Sequence, residues 1–206
     1  MNVELQNIDL NNEKIPRVIN SAFEIFTKND YEKASMNNIV KASGVSKGLI
    51  YHYFGNKEGL FNFLFDFAMN MSFKGINDSI DWTNTDFFDR YKMMVAAKLG
   101  YFKTYPYMLS FFDKYRTHTR TKNIKINFEK EYPGFRDKIY HYNILFDTLR
   151  EDVDVEKMIN VLRWTVKGMM QDFIDSYEVD EFDIKTNHFI EECDEYIDFM
   201  KEQFYK

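Results

Sequence analysis

The sequence has 206 residues, 45% hydrophobic and 29% charged, with a net charge of −6, a balance that excludes a disordered chain and allows one or two domains with a real core. Its single cysteine, Cys193, excludes an intramolecular disulfide framework. No stretch approaches the roughly 18 uninterrupted apolar residues of a membrane span, and Met1–Leu5 has neither the basic segment nor the apolar run of a secretion signal, so a soluble cytoplasmic protein is expected.

The 21 Phe and 14 Tyr against 8 Gly and 3 Pro predict an all-α fold, with large rings filling the gaps between helices. Residues 1–13 are polar and without helical period, and read as a flexible tail. From Lys14, the residues Val18, Ala22, Ile25 and Phe26 mark one face of an amphipathic helix, with Pro16 tolerated in its first turn. It ends near Asn29-Asp30. Ser35 then caps a helix of about two turns whose apolar side is Met36, Ile39 and Val40, and Gly44 supplies a left-handed stop. Ser46 caps a second short helix, Lys47 to Phe54, in which Leu49, Ile50, Tyr53 and Phe54 supply buried positions. Asn56 caps a fourth helix with an apolar face at Leu60, Leu64, Phe67, Ala68 and Met71.

Residues 76–85 read as a connection. A stripe from Phe87 through Tyr91, Met94, Val95, Lys98 and Leu99 to Phe102 predicts a helix, and Pro106 breaks it. Met108 to Tyr115 form a short aromatic helix. Residues 116–125, with Arg116, Arg120, Lys122 and Lys125, read as an exposed basic loop or helix end; contact with an anionic ligand is the alternative. Residues 126–150 read as helix interrupted at Pro133-Gly134, Val155 to Tyr177 as a strong helix, Asp180 to Asp183 as an acidic loop, and His188 to Gln203 as the last helix. No strand or repeat is predicted. The expected organisation is a tail at 1–13, a helix-turn-helix domain at 14–60 connected by the helix 56–75, and a helical domain at 76–206.

Two short helices joined through Gly44-Val45-Ser46 follow the helix-turn-helix pattern. A small helical hairpin that only packs has the same outline, so the content of the second helix matters. Ser46 and Gly48 keep its start thin, and Lys47, Tyr51 and His52 fall opposite Leu49, Ile50 and Tyr53. A helix entering a DNA groove needs this alternation of small residues and polar tips. The serine and tyrosine hydroxyls and the free N–H groups of the helix start suit phosphate. Charge distribution agrees. Residues 1–75 hold 8 basic and 8 acidic residues, so the −6 lies wholly beyond them, and no acid occurs between Glu32 and Glu58, a window that contains Lys33, Lys41, Lys47 and Lys57.

The run Gly44-Val45-Ser46-Lys47-Gly48-x-x-Tyr51-His52-Tyr53-Phe54-x-x-Lys57-Glu58-x-Leu60, with Ala22 and Phe26 before it, resembles the DNA-binding domain of the TetR (TetR/AcrR) family over about Ile15 to Phe61. Val40 stands where the family usually has a smaller residue, and Leu49 and Ile50 where Thr or Leu is more frequent; these departures bear on packing. The resemblance implies that Ser35 caps its helix and touches phosphate, that Ser46, Lys47, Gly48, Tyr51 and His52 face the major groove and its rims, that Tyr53 contacts the backbone and that Lys57 holds phosphate. It further implies a homodimeric repressor on a palindromic operator, released by a small molecule bound in the larger domain. Control by a protein partner is the alternative.

The last two long helices would build the dimer, through Leu162, Val166, Met169, Phe173, Phe189, Cys193, Tyr196 and Met200, with Gly168 permitting close approach; these faces also read as ordinary core. Phe102, Tyr105, Phe111, Tyr115, Tyr140, Phe146 and Trp164 are candidates for lining an apolar or aromatic ligand's pocket, against core packing for each singly. No cofactor is expected. His52, His118, His141 and His188 lack metal-ligand spacing, and no phosphate loop or nucleophile elbow suggests an enzyme.

Overall fold

The computed structural model describes residues 12–100, 104–176 and 182–206. It is all-α: α1 (Lys14–Lys28), α2 (Met36–Ser43), α3 (Lys47–Phe54), α4 (Lys57–Ser79), α5 (Phe87–Gly100), α6 (Met108–Tyr115), α7 (Lys122–Glu131), α8 (Phe135–His141), α9 (Val155–Ser176) and α10 (Phe182–Phe204), with a 3₁₀ turn at Thr119–Thr121. Among the described residues the only β pairing is an isolated bridge between Leu149 and Tyr205, and no helix is long and apolar enough to cross a membrane. The predicted tail at 1–13 lies, up to residue 11, outside the described residues, as do Phe102 and Tyr177.

The chain forms two compact units: Met1–Phe73 with Thr104–Tyr132, and Lys74–Lys103 with Pro133–Lys206. The chain therefore crosses between them three times, whereas the sequence reading placed everything after residue 75 in one domain.

The reason is visible in the first unit. The buried stripe of α1 is Ile15, Val18, Ile19, Ala22, Phe23 and Phe26, and α6 packs on it with rings. Phe111 lies 5.1 Å from Phe23 and 5.6 Å from Phe61, and Tyr115 lies 4.9 Å from Phe61. Polar contacts reinforce this. The last carbonyls of a helix have no partner within it, and here α6 supplies donors. The Tyr115 hydroxyl donates to the Phe26 and Asn29 carbonyls, and Lys114 Nζ donates to those of Phe26, Thr27 and Asn29. Tyr105, 5.1 Å from Phe67 and 6.2 Å from Phe23, belongs to the same core. The expectation that Tyr105, Phe111 and Tyr115 line a pocket is thus corrected: their surroundings are other rings of the first unit.

The basic stretch 116–125 is also engaged within this unit. Arg116 pairs with Asp113 at 2.7 Å, and Arg120 pairs with Glu32 at 3.4 Å while lying 4.0 Å over the Tyr31 ring.

In the second unit α10 packs on α5 and α9. Its buried residues Phe189, Cys193 and Ile197 face inward, with Phe189 4.8 Å from Phe173. Lys201 joins α10 to the start of α5 through Asp86 at 2.9 Å and Asp89 at 2.8 Å. The guanidinium of buried Arg90 donates to the carbonyls of Tyr142, Trp82 and Asn84, which ties the turn before α5 to the turn after α8.

Two predicted boundaries change. The helix expected through 126–150 stops at His141, and turns follow, with Asn143 at φ 55°. The last helix starts at Phe182 and not at His188. Of the loop expected at Asp180–Asp183, residues 180 and 181 lie outside the described residues, while Phe182 and Asp183 belong to the first turn of α10, where negative charge is favoured.

Candidate nucleic-acid interface

The α2–α3 pair is built by local signals. Ser35 is extended (φ −120°, ψ 130°), and its Oγ accepts from the Asn37 N–H at 3.2 Å. Gly44 ends α2 in the left-handed region at φ 64°, ψ 20°. Ser46 Oγ then accepts from the Leu49 N–H at 3.4 Å. Both serines therefore use an oxygen lone pair as caps, and each O–H remains a donor for an outside phosphate oxygen.

Helix α3 buries Ile50 and Phe54 and leaves Leu49 and Tyr53 half-buried. Lys47, Gly48, Tyr51 and His52 are exposed. Tyr51 is 38% exposed, with the Lys47 ammonium 5.5 Å above its ring. The His52 and Tyr53 rings meet at 5.3 Å. The structure thus brings Ser46, Lys47, Gly48, Tyr51, His52 and Tyr53 together on one short helix.

Arg17, which the sequence analysis did not single out, lies against this helix-turn-helix. A Cβ placed on Gly44 would approach Arg17 Nη2 to 2.8 Å. Gly44 therefore serves twice, through its positive φ and through the room it leaves for the guanidinium. Arg17 is exposed and, like Lys41 and Lys47, has no ion pair with any described residue. Its 27-residue separation from Gly44 explains why no local motif announces it.

Lys57 is the site residue whose role changes. Its ammonium donates to the carbonyls of Tyr31, Glu32 and Ala34 at 2.9, 3.3 and 3.2 Å and sits 4.6 Å over the Tyr31 ring. All three N–H donors are committed to the α1–α2 loop, so the lysine ties α4 to that loop and has no donor left for phosphate. We expect Lys57→Met to lower unfolding stability by about 2 kcal/mol, the scale of hydrogen bonds to a charged group. The salt dependence of DNA binding should not change. Urea titration and binding at several salt concentrations check this; a slope reduced by one phosphate contact, at unchanged stability, would restore the sequence reading.

The other expected sites scatter within the second unit. Leu162, Val166, Phe173, Phe189 and Cys193 are buried in its own core, so they are not available to a second chain. Met169 and Met200 are half-buried, and Tyr196 is exposed. Tyr140 and Phe146 are half-buried. Trp164, expected in a pocket, is instead 67% exposed. Among the described residues no group of three or more His, Cys, Asp or Glu is placed to hold a metal ion.

Residues 18–64 match the family described as bacterial regulatory proteins, tetR family. The HTH-type transcriptional regulator UidR of Escherichia coli K12 is 46% identical over 44 residues, covering 21% of this chain and 22% of UidR. The fatty acid metabolism regulator protein of Bacillus subtilis is 33% identical over 67 residues, covering 32% and 34%. The chain thus matches about a fifth to a third of the length of these curated relatives. A TetR-family transcriptional regulator of Chloroflexus aurantiacus, solved by crystallography, superposes with TM-score 0.64 at 17% identity, over 98% of this chain and 96% of that one. The fold of this chain is that of TetR-family regulators, an N-terminal helix-turn-helix followed by a helical C-terminal part.

Proposed function

We propose that this protein is a DNA-binding transcriptional regulator of the TetR type, a homodimeric repressor that leaves a palindromic operator when a small molecule binds its second unit. The observation that carries the reading is α3: a helix capped by Ser46, preceded by left-handed Gly44, free of acids and presenting Lys47, Gly48, Tyr51 and His52 to solvent. Gly48 leaves the helix start thin enough to meet base edges, and the tyrosine, histidine and lysine tips provide donors and acceptors there. Arg17, Ser35 and Ser46 surround this helix with donors suited to phosphate.

Release requires that the effector favour a state in which the two recognition helices no longer fit successive grooves. By linkage, DNA then weakens effector binding by the same factor. The covalent route for such coupling is the segment Thr104–Tyr132, which is flanked on both sides by second-unit residues and whose Lys114 and Tyr115 hold the end of α1.

Duplex selection from a random pool, followed by binding measurements on the enriched sequence, tests this. Arg17→Ala should weaken enriched and random duplexes alike and reduce the salt slope by about 1. Tyr51→Ala should instead narrow the advantage of the enriched sequence, on the scale of about 1–3 kcal/mol for one base-pair contact. If no sequence enriches, or if neither variant changes binding, the surface assigned here is not the DNA-binding surface.

A further inference from the structure

Folding returns a basic segment to the unit that carries α3. Residues 1–73 hold 7 basic and 8 acidic residues, and Thr104–Tyr132 adds 6 basic and 3 acidic ones, so the first unit is net +2 and the second net −8. The unit that meets DNA therefore owes its positive charge to this segment. The charge is concentrated. No acid occurs between Asp113 and Glu129, a window that holds Lys114, Arg116, Arg120, Lys122 and Lys125.

These cations lie against the loop that leads into α2. The Arg120 guanidinium is 4.0 Å from the centroid of the Tyr31 ring, and Lys57 Nζ is 4.6 Å from the same centroid. Lys57 also donates to the Ala34 carbonyl at 3.2 Å, and Ala34 directly precedes Ser35, the cap of α2. The loop's two acids, Asp30 and Glu32, are exposed and would repel a phosphate backbone beside Ser35. The segment neutralises both, Asp30 through Lys114 at 3.7 Å and Glu32 through Arg120 at 3.4 Å. A fixed turn holds the next cations outward. Thr121 is fully buried, and its hydroxyl reaches the Tyr115 and His118 carbonyls at 3.0 and 2.8 Å. Arg120 and Lys122, on either side of it, are exposed. The Lys122 ammonium has no ion pair or hydrogen bond with any described residue. Arg120 gives Glu32 one of its five N–H donors.

We propose that Arg120 and Lys122 form a second contact with duplex DNA, on the phosphate backbone flanking the bases that α3 meets. This rests on the regulator reading for the place of the duplex. The anion that the basic stretch 116–125 suits is then the DNA backbone itself. Such a contact lengthens the bound duplex and adds affinity without base preference, because it offers only charge and N–H donors.

The test uses the full chain, the enriched duplex and a random duplex of the same length, with binding followed by fluorescence anisotropy from 50 to 200 mM salt and Tm measured on the same preparations. Lys122→Ala should leave Tm unchanged, weaken both duplexes by the same factor and lower the salt slope by about 1, so that across this range the wild type loses roughly threefold more affinity than the variant. Lys122→Arg should restore the slope. Trimming the enriched duplex to its selected base pairs should cost the wild type more affinity than it costs Lys122→Ala. An unchanged slope in Lys122→Ala, or equal losses of the two proteins on trimming, overturns the proposal. If Arg17→Ala and Tyr51→Ala act as stated above while Lys122→Ala binds like the wild type, only this inference fails. If Lys122→Ala loses affinity while Tyr51→Ala keeps full sequence preference, the backbone contact stands and α3 is not the reader. If the wild type binds no duplex, both readings fall.

Discussion

Replacing Gly59 by alanine is expected to destabilise the protein by about 3 kcal/mol, the upper range of overpacking in a tight site, although alanine is the better helix former. A Cβ at position 59 would lie 2.1 Å from the Phe54 carbonyl oxygen and 3.3 Å from its carbon. Both are backbone atoms, so no side-chain rotation relieves the overlap. Either the first turn of α4 or the last turn of α3 has to move, and the hydrogen bonds there, Gly59 N–H to Asn56 Oδ1 at 2.8 Å and Gly55 N–H to the Tyr51 carbonyl at 2.9 Å, hold both in place. An alanine in an open helical position would gain about 1 kcal/mol over glycine. Gly48 in α3 provides that reference, since it is exposed and a Cβ there meets nothing within 4 Å. Urea unfolding of the two variants should therefore show opposite signs. A neutral or stabilising Gly59→Ala would mean that α3 and α4 are not held as closely as described. The contact also bears on function: Phe54 ends the helix that carries Tyr51 and His52, so the same change should weaken duplex binding beyond what the loss of folded protein explains.

The local part of this architecture was legible because its determinants are local. Ser35, Gly44 and Ser46 announce caps by residue type, and the caps form where expected. The apolar period of α1 likewise placed Val18, Ala22 and Phe26 on its buried face, although Ile25, assigned to the same face, is only half-buried. Relations across long sequence separations left no such trace. Nothing in Lys57 distinguishes a side chain facing phosphate from one facing the carbonyls of Tyr31, Glu32 and Ala34, because both are anionic or partly negative oxygens. Gly59 looks like any helical glycine until the Phe54 carbonyl is in place. Phe111 and Tyr115 read as pocket or core equally well, and only their meeting with Phe23 and Phe61 decides. On α9 and α10 the apolar stripe was visible, but an amphipathic helix that also carries apolar residues outside has two candidate faces. The sequence reading chose the inner one, Leu162, Val166 and Phe173, which is buried within the chain.

The outer face carries the second large effect. On the proposed dimeric reading, Trp164→Asp combined with Phe199→Asp is expected to give a monomer that remains folded and binds the selected operator roughly 100-fold or more weakly. Val161 and Trp164 on α9 are 40% and 67% exposed, and Tyr196 and Phe199 on α10 are 47% and 59% exposed, each pair three residues apart and hence on one side of its helix. Large rings left this open are unusual on a monomer and mark a surface that another molecule covers. A second copy fits best, because Gly168, exposed one turn beyond Trp164, leaves backbone accessible for a close helix crossing. Trp164 makes no ring contact or hydrogen bond with any described residue, so an aspartate there leaves the unit's own core intact. Loss of operator affinity then follows from geometry alone. Two linked half-site readers gain about 10² to 10⁴ in avidity over one, and a monomer forfeits that gain while its α3 surface is unchanged. Sedimentation velocity, circular dichroism and duplex binding on the same preparation separate the cases. A folded double variant that still sediments as a dimer places the interface elsewhere. A folded monomer with undiminished operator affinity would show that a single α3 helix suffices for recognition, and the two-fold operator would have to be abandoned.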